Sequence, residues 1–508
     1  MKRHKGIVAT GHPEVSKAAI RMLQMGGNAF DAAVAAGFAG AIAEPALTSL
    51  GGGGFLLARN PSGKATLFDF FVDTPGKGKP LEDLEPHFFP VTIQFPSSTQ
   101  DFNVGLGSVA VPGNIKGYLH VHKKLGSLPL KEIVQPAITL AKQGVTLNRH
   151  QAYFLNMLKP IMVVTEASRK IFEPNGKYVQ EGDTLCNSEM ADFLDNLAHE
   201  GSADFFYKGE IAQRIVSDME AGNGLLTKED LASYEVLERE PLIAEYKGFL
   251  LLTNPPPSFG GVLIRMALEL LSRLDMSNLE WGTSEHLLAV ALAQREVEDL
   301  RTKNCHQMDE LLRRNEISEA ADFLRKRLWS RGTTHVSVAD AYGNVASMTT
   351  SNGEGSGYIV PGTGIMLNNM MGEDDLHPEG FHSSKPGHRV SSMMSPSLLL
   401  HKGTVSLVLG SGGSKRIRTA LVQVLLNYLD FGLDIEASVR APRLHWDGKK
   451  LQIEPGYGKG SIEALKEEFE INVWEDIDVY FGGVHAVEPG GSGAGDPRRG
   501  GCVMKLPG

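Results

Sequence analysis

Cysteine is nearly absent: Cys186, Cys305 and Cys502 are the three in 508 residues, an odd count spread far apart. That pattern fits neither a zinc-ligand spacing nor a disulfide framework. No stretch approaches the run of about eighteen apolar residues that spans a bilayer. The opening MKRHKGIVATGHPEVSKAAI is basic but carries no apolar core of a secretory signal, so a cytoplasmic protein is expected. Basic charge is also short, with 50 Lys+Arg against 60 Asp+Glu and a net charge of −10. A chain of that balance is a poor partner for a phosphate backbone, and the brief Arg498-Arg499 cluster does not reverse it. Internal repeats and low-complexity linkers are missing. GSGGSKRIRT lacks the residues between its glycines that a phosphate loop requires. No cofactor, metal, nucleic acid or membrane partner is expected.

What is present is a chain with 42% hydrophobic residues, ample for a large core. Val15, Ala19, Ile20 and Leu23 fall on one helical face, with Gly26-Gly27 as a stop. Asn28 or Asp31 caps a second, alanine-rich helix running to about Ala43. FLLARN and ATLFDFFV read as strands joined at Pro61-Ser62-Gly63. From about Pro112 to Arg331 the pattern is mainly helical, as in LKEIVQPAITLAKQG and SEHLLAVALAQREVEDLRTKN; NPPPSFGG is a turn that opens another helix. The charged segment HQMDELLRRNEISEAADFLRKRLWSRG then gives way abruptly to strands: THVSVAD, NVASMTTS, SPSLLLHKG and TVSLVLGSGG. The sharpest boundary in the sequence is 332/333. GEDDLHPEGFHSSKPGH gathers Glu373, Asp374, Asp375, His377, His382 and His388, but at irregular spacing among Pro and Gly, which reads as a solvated loop rather than a metal centre.

HVSVAD and NVASMT form a hairpin around Ala341-Tyr342-Gly343, with glycine where a left-handed residue is needed. Counting back from an Asp340–Asn344 pair places Thr333 opposite Ser351. An internal threonine hydroxyl is a poor nucleophile. At a new N-terminus it gains its own base, an α-amine of pKa about 7.7–8.0 within reach of the hydroxyl. Gly332 would then be the residue whose carbonyl that hydroxyl attacks. His335 lies on the same strand face as Thr333 and is expected to be packed and hydrogen-bonded.

TTHVSVADAYGNVASMT, together with GGNAFDAAVA, GGGGF, NPPPSFGG, GIMLNN, SSMMSP, GSGGSKRI and AGDPRRG, resembles the gamma-glutamyltranspeptidase family in order, from about Gly6 to Arg499. The resemblance implies an α+β, four-layer αββα sandwich of the N-terminal-nucleophile hydrolase type. It also implies self-cleavage between Gly332 and Thr333 into a large subunit, 1–332, and a small one, 333–508. On this chain Thr333 resembles the nucleophile, Ser351 the hydroxyl that assists it, and Gly412 and Gly413 the oxyanion-holding pair. Glu373 resembles the acid that receives a substrate α-amine, and Ser392 a serine that holds its α-carboxylate. The implied substrate is a γ-glutamyl amide such as glutathione, with water or an amine as acceptor; an acylase acting on another amide, or an uncleaved binding protein, are the alternatives.

The chain departs from the family at the acyl-binding side. Met393 and Met370 stand at two polar positions, and no arginine occurs between Arg59 and Arg149 to fork onto a carboxylate. Either Lys77, Lys79, Arg389 or Arg416 reaches that pocket, the expectation slightly favoured, or the natural acyl group carries less charge.

Overall fold

Strand alternation along Thr333–Asp340 dictates how the layers stack. In the computed structural model, which describes residues 5–80, 87–95, 98–274, 276–303, 332–373, 376–377, 380–381 and 383–507, this strand lies near the middle of a seven-stranded sheet. The order is Cys502–Leu506, Gly6–Thr10, Thr333–Asp340, Val345–Ser351, Gly53–Arg59, Ala65–Phe70 and Leu237–Arg239, with every pairing antiparallel. Val336 and Val338 join the core built with the helices Pro13–Gln24, Ala29–Ala43 and Leu130–Gln143. The intervening residues Thr333, His335 and Ser337 are left for the opposite face.

That opposite face meets a second, six-stranded sheet ordered Gly493–Ala494, Gly483–Val487, Thr404–Gly412, Ser397–His401, Phe249–Thr253 and Leu242–Tyr246. Ile7, Ala9, Phe55, Leu57, Ala339 and Val345 from the first sheet share one core with Leu398, Val408 and Leu409 from the second. The helices Gly260–Ser272, Ser284–Lys303 and Arg416–Leu429 supply Val262, Leu287 and Leu421 to that core and form the fourth layer. The architecture is the α+β, four-layer αββα sandwich.

The space between the sheets is partly polar and is satisfied by side chains. His335 Nδ1 lies 2.8 Å from Thr349 Oγ1 and Nε2 3.0 Å from Ser337 Oγ, while Ser337 Oγ donates to His485 O. Burial, reinforced by His485, pushes the His335 pKa well below the ordinary histidine range. A Cβ on Gly410 would stand 2.2 Å from the His335 ring, so the second sheet makes room for the imidazole with a glycine. His335 is thus the packed, bonded residue that its strand position predicts.

Local signals account for the elements around the site. The Asn28 side chain accepts from Phe30 N and Asp31 N, and Asp31 accepts in return from Asn28 N, a capping box worth about 1 kcal/mol. Both residues named from the sequence therefore take part. Every residue of Ala29–Ala43 is buried, which its alanines permit by keeping the helix thin. Gly343 adopts φ +90° in the hairpin loop, as the turn requires.

The described part of the stretch after Pro112 is mainly helical, as expected, but it also carries the strands Leu237–Arg239, Leu242–Tyr246 and Phe249–Thr253, the last two pairing as a hairpin. Its turn, Lys247-Gly248, has φ +49° and +77°, the conformation that matches strand twist. The glycine and the β-rich FLLLT were the available signals. The charged segment before Gly332, Cys305, Asp374, Asp375 and His382 lie outside the described residues. No described helix is long and apolar enough to cross a membrane.

Candidate active site

Thr333 and Ser351 are paired residues of adjacent central strands, in the register read from the hairpin. Both are buried, and the two hydroxyl oxygens are 3.4 Å apart, at the long end of hydrogen-bond reach. Ser351 Oγ donates a hydrogen bond to the carbonyl oxygen of Gly332 and accepts one from Gly353 N at 3.0 Å. The Thr333 hydroxyl thus leads to Ser351, and Ser351 leads to the carbonyl of the residue before Thr333. In the uncut chain this is a relay of hydroxyls across the Gly332–Thr333 peptide. A donor on that carbonyl oxygen favours the charge that a tetrahedral intermediate would place there.

Gly332 is fixed by contact. A Cβ on it would lie 1.5 Å from the Gly353 carbonyl oxygen, which no side chain allows. Gly353 in turn has φ +61°, and a Cβ there would meet Asn369 Oδ1 at 2.1 Å and Glu373 Oε1 at 2.2 Å. These two glycines let Glu373, Asn369 and the Gly332–Thr333 bond crowd together. Asn369 Oδ1 accepts from Glu354 N at 2.9 Å, which orients its amide.

Gly412 and Gly413 end the strand Thr404–Gly412 beside the same threonine. A Cβ on Gly412 would stand 2.3 Å from Thr333 O, and Gly413 has φ +121°. The helix Arg416–Leu429 begins just beyond this turn, so the glycine pair is held between a strand and a helix N-terminus. Lys415 and Arg418 both pair with Glu298 of the helix Ser284–Lys303. Burial raises the Glu298 pKa, but the charges of Arg418, Arg301 and Lys415 more than offset it and hold the group well below the ordinary range.

Two residues that sequence reading missed complete the surroundings. Arg499 Nη1 donates to Thr333 O at 2.8 Å. Glu44, directly after the alanine-rich helix, is buried and accepts from Thr334 Oγ1 at 3.1 and 3.2 Å. Burial pushes its pKa up to about 7, opposed by the Thr334 bond and by the charge of Arg499. The available signal was an acid closing a helix that buries every residue, an unfavourable place for negative charge unless something compensates it.

The acyl-binding residues divide. Glu373 lies against Gly353, close to the reacting bond. Ser392 Oγ accepts from Met394 N at 3.1 Å, and the Ser392 carbonyl accepts from Ser258 Oγ and Phe259 N, each at 2.8 Å. NPPPSFGG and SSMMSP therefore dock on each other. Met370 and Met393 are buried.

Each of the four candidate cations has a partner within the protein. Lys77 Nζ donates to Ser233 Oγ at 2.7 Å and Lys79 Nζ to Gly224 O at 2.8 Å. Arg389 is held by Asp69 and Asp73 at 3.4 and 3.3 Å, and donates to the Tyr234 hydroxyl at 2.8 Å. Arg416 Nε donates to Tyr480 O at 2.9 Å, with the guanidinium over the Tyr480 ring. For the buried arginines these partners offset the cost of desolvation.

A buried threonine at a strand end, a hydroxyl relay to the preceding carbonyl, and an αββα sandwich define the class of N-terminal-nucleophile hydrolases. Comparison with known proteins agrees. The gamma-glutamyltranspeptidase family model matches residues 15–506, and the chain belongs to that family of enzymes. It is 31% identical to the glutathione hydrolase proenzyme of Escherichia coli strain K12, over 98% of this chain and 91% of the relative. It is 33% identical to the acylase ACY 1 proenzyme of Pseudomonas sp. strain SE83, over 91% and 86%. Among solved structures, the cephalosporin acylase from Bacillus halodurans superposes with a TM-score of 0.82 at 27% identity, covering 99% of this chain and 96% of that one.

Proposed function

We propose that the protein matures by cutting itself at Gly332–Thr333 and then works as an amidohydrolase or acyltransferase with Thr333 as nucleophile. In maturation Thr333 Oγ1 attacks the Gly332 carbonyl carbon while its proton passes toward Ser351. The tetrahedral intermediate collapses with loss of the C–N bond, the proton goes to the departing nitrogen, and an ester links Gly332 to Thr333 Oγ1. Water hydrolyses that ester, leaving a carboxylate on Gly332 and a free α-amine on Thr333. Residues 1–332 and 333–508 are then the large and small subunits.

In turnover the α-amine takes the hydroxyl proton as Oγ1 attacks a substrate amide. The N–H groups of Gly412 and Gly413 hold the oxyanion, the amine leaves with a proton, and water or a second amine resolves the acyl-threonine ester. The observation that carries this reading is the Thr333–Ser351–Gly332 relay.

For the acyl group we favour one that presents an amine to Glu373 but no free α-carboxylate, as in the acylase alternative. The reason is the commitment of Lys77, Lys79, Arg389 and Arg416 to internal partners. A carboxylate buried beside methionines without a cation would cost several kcal/mol. The γ-glutamyl reading keeps the support of the glutathione hydrolase relative and of Glu373, which suits an α-amine in either case.

Three p-nitroanilides separate the two: γ-glutamyl, 4-aminobutyryl (the same chain without its α-carboxylate) and glutaryl (the same chain without its amine). The expected order of kcat/KM is 4-aminobutyryl at or above γ-glutamyl, with glutaryl last. A strong preference for γ-glutamyl over 4-aminobutyryl refutes the acyl assignment.

A further inference from the structure

Two arginines stand side by side in the turn Pro497–Arg499, and they do different things. Arg498 is enclosed by Glu454 and Asp496, its Nε donating to Glu454 at 2.7 Å and its Nη1 to Asp496 at 3.2 Å. That is a buried structural ion cluster, to which Arg443 also contributes through Asp496 at 2.6 Å. Arg499 instead sends Nη1 to the carbonyl of Thr333 at 2.8 Å. Its side chain runs through a trough of glycines. A Cβ on Gly483 would lie 2.2 Å from Arg499 Cδ, one on Gly412 3.0 Å from Nη1, and one on Gly413 3.4 Å from Nη2. The ring of Phe154 lies 5.6 Å from the guanidinium carbon.

The geometry points to Arg499 as a positioning residue that locks the nucleophile strand to the Gly412–Gly413 turn, while Glu44 holds the next residue, Thr334. The inference rests on the proposed role of Thr333. Once the Gly332–Thr333 bond is cut, Thr333 becomes a chain end, and chain ends fray unless tied down. Arg499 ties this one by its carbonyl, which leaves the hydroxyl and the α-amine free to react. The same guanidinium sits behind the glycine pair, so a fixed positive charge backs the place where negative charge develops. Burial and the neighbouring Arg416 lower the Arg499 pKa to about 10, which still leaves it charged at neutral pH. Glu44 accepts from the hydroxyl of Thr334, the residue after the nucleophile. A carboxylate and a guanidinium thus hold successive residues of one strand.

The test is a double-mutant cycle of Arg499→Met and Glu44→Gln, with Arg499→Lys as the conservative arm. Each protein is scored for cleavage on a denaturing gel, for melting temperature, and for kcat and KM on the preferred anilide. Arg499→Met leaves the buried Thr333 carbonyl without its donor and Glu44→Gln weakens the acceptor of the Thr334 hydroxyl, so each single variant is expected to melt lower. The double variant removes both groups and should melt no lower than the sum of the two single losses. Its kcat should stay down by about 10²-fold, the cost of misplacing a reacting group by about 1 Å, with KM changed by no more than about threefold. Arg499→Lys should fall between it and the wild type. Recovery of kcat together with melting temperature in the double variant overturns the proposal, since the pair would then be only structural. So does a loss that appears wholly in KM. A wild-type protein that is active but uncut sinks the Thr333 reading itself, whereas a cut wild type with an unimpaired double variant sinks only this inference.

Discussion

Substituting Gly332 by alanine adds one methyl group at the most crowded point of the molecule. That Cβ would lie 1.5 Å from the carbonyl oxygen of Gly353, whereas real Cβ atoms essentially never come within 3.0 Å of a neighbour. One side must therefore move by about 1.5 Å, the difference between those distances. Gly353 has no room to retreat, because Asn369 and Glu373 fill the space where its own Cβ would point. The displacement falls on the Gly332 carbonyl, which is both the group to be attacked and the acceptor of the Ser351 hydrogen bond. A misplacement of about 1 Å can slow a reaction about 10²-fold, so Gly332→Ala should retard self-cleavage by at least that factor. The assay is a time course of purified precursor on a denaturing gel, with Thr333→Ala as the uncut reference and melting temperature confirming the fold. Cleavage of Gly332→Ala at the wild-type rate would refute the argument, because it would mean that the close approach exerts no control over the reacting bond.

Ser351→Ala removes the donor to the Gly332 carbonyl and should slow maturation by about 10²–10⁴-fold, whereas Ser351→Thr keeps the hydroxyl and should stay within about tenfold; N-terminal sequencing of the small fragment over time distinguishes them. Acid should destabilise the protein through its buried histidines. Burial lowers His12, His286 and His485 to about 4, and His335 and His445 well below the ordinary range. Each binds its proton more weakly folded than unfolded, so each removes about 1.4 kcal/mol per pH unit as pH falls from about 6.5 toward its folded value. Denaturant melts of wild type and His286→Gln between pH 7 and 4 test this, and a difference between them that stays flat over that window counts against it. Glu44 acts in the opposite sense. Its folded pKa of about 7 lies above the unfolded value, so its contribution is full below about pH 4.5 and is lost as pH rises through 7. The stability difference between wild type and Glu44→Gln should therefore shrink across that range, and a difference that grows would contradict the burial of the carboxylate.

The sequence by itself determined what short-range rules control. The Thr333–Ser351 register follows from a three-residue loop with glycine at its left-handed position and from the period of two along each strand. The Asn28–Asp31 cap follows from four consecutive residues. The family pattern added the glycine pair and Glu373, which the structure brings to the same threonine. Tertiary structure decided the rest, because the partners are remote in the chain and are selected by packing. Arg499 and Glu44 meet the nucleophile strand from its two sides across 166 and 290 residues of sequence. Neither shows a spacing that identifies a partner. The four cations could be counted in the sequence, but only the folded chain shows that each has an internal partner. The need for glycine at 332 likewise has a cause outside its neighbours in sequence: it is the carbonyl of Gly353, brought within contact by the closing of the hairpin, that leaves no space for a side chain.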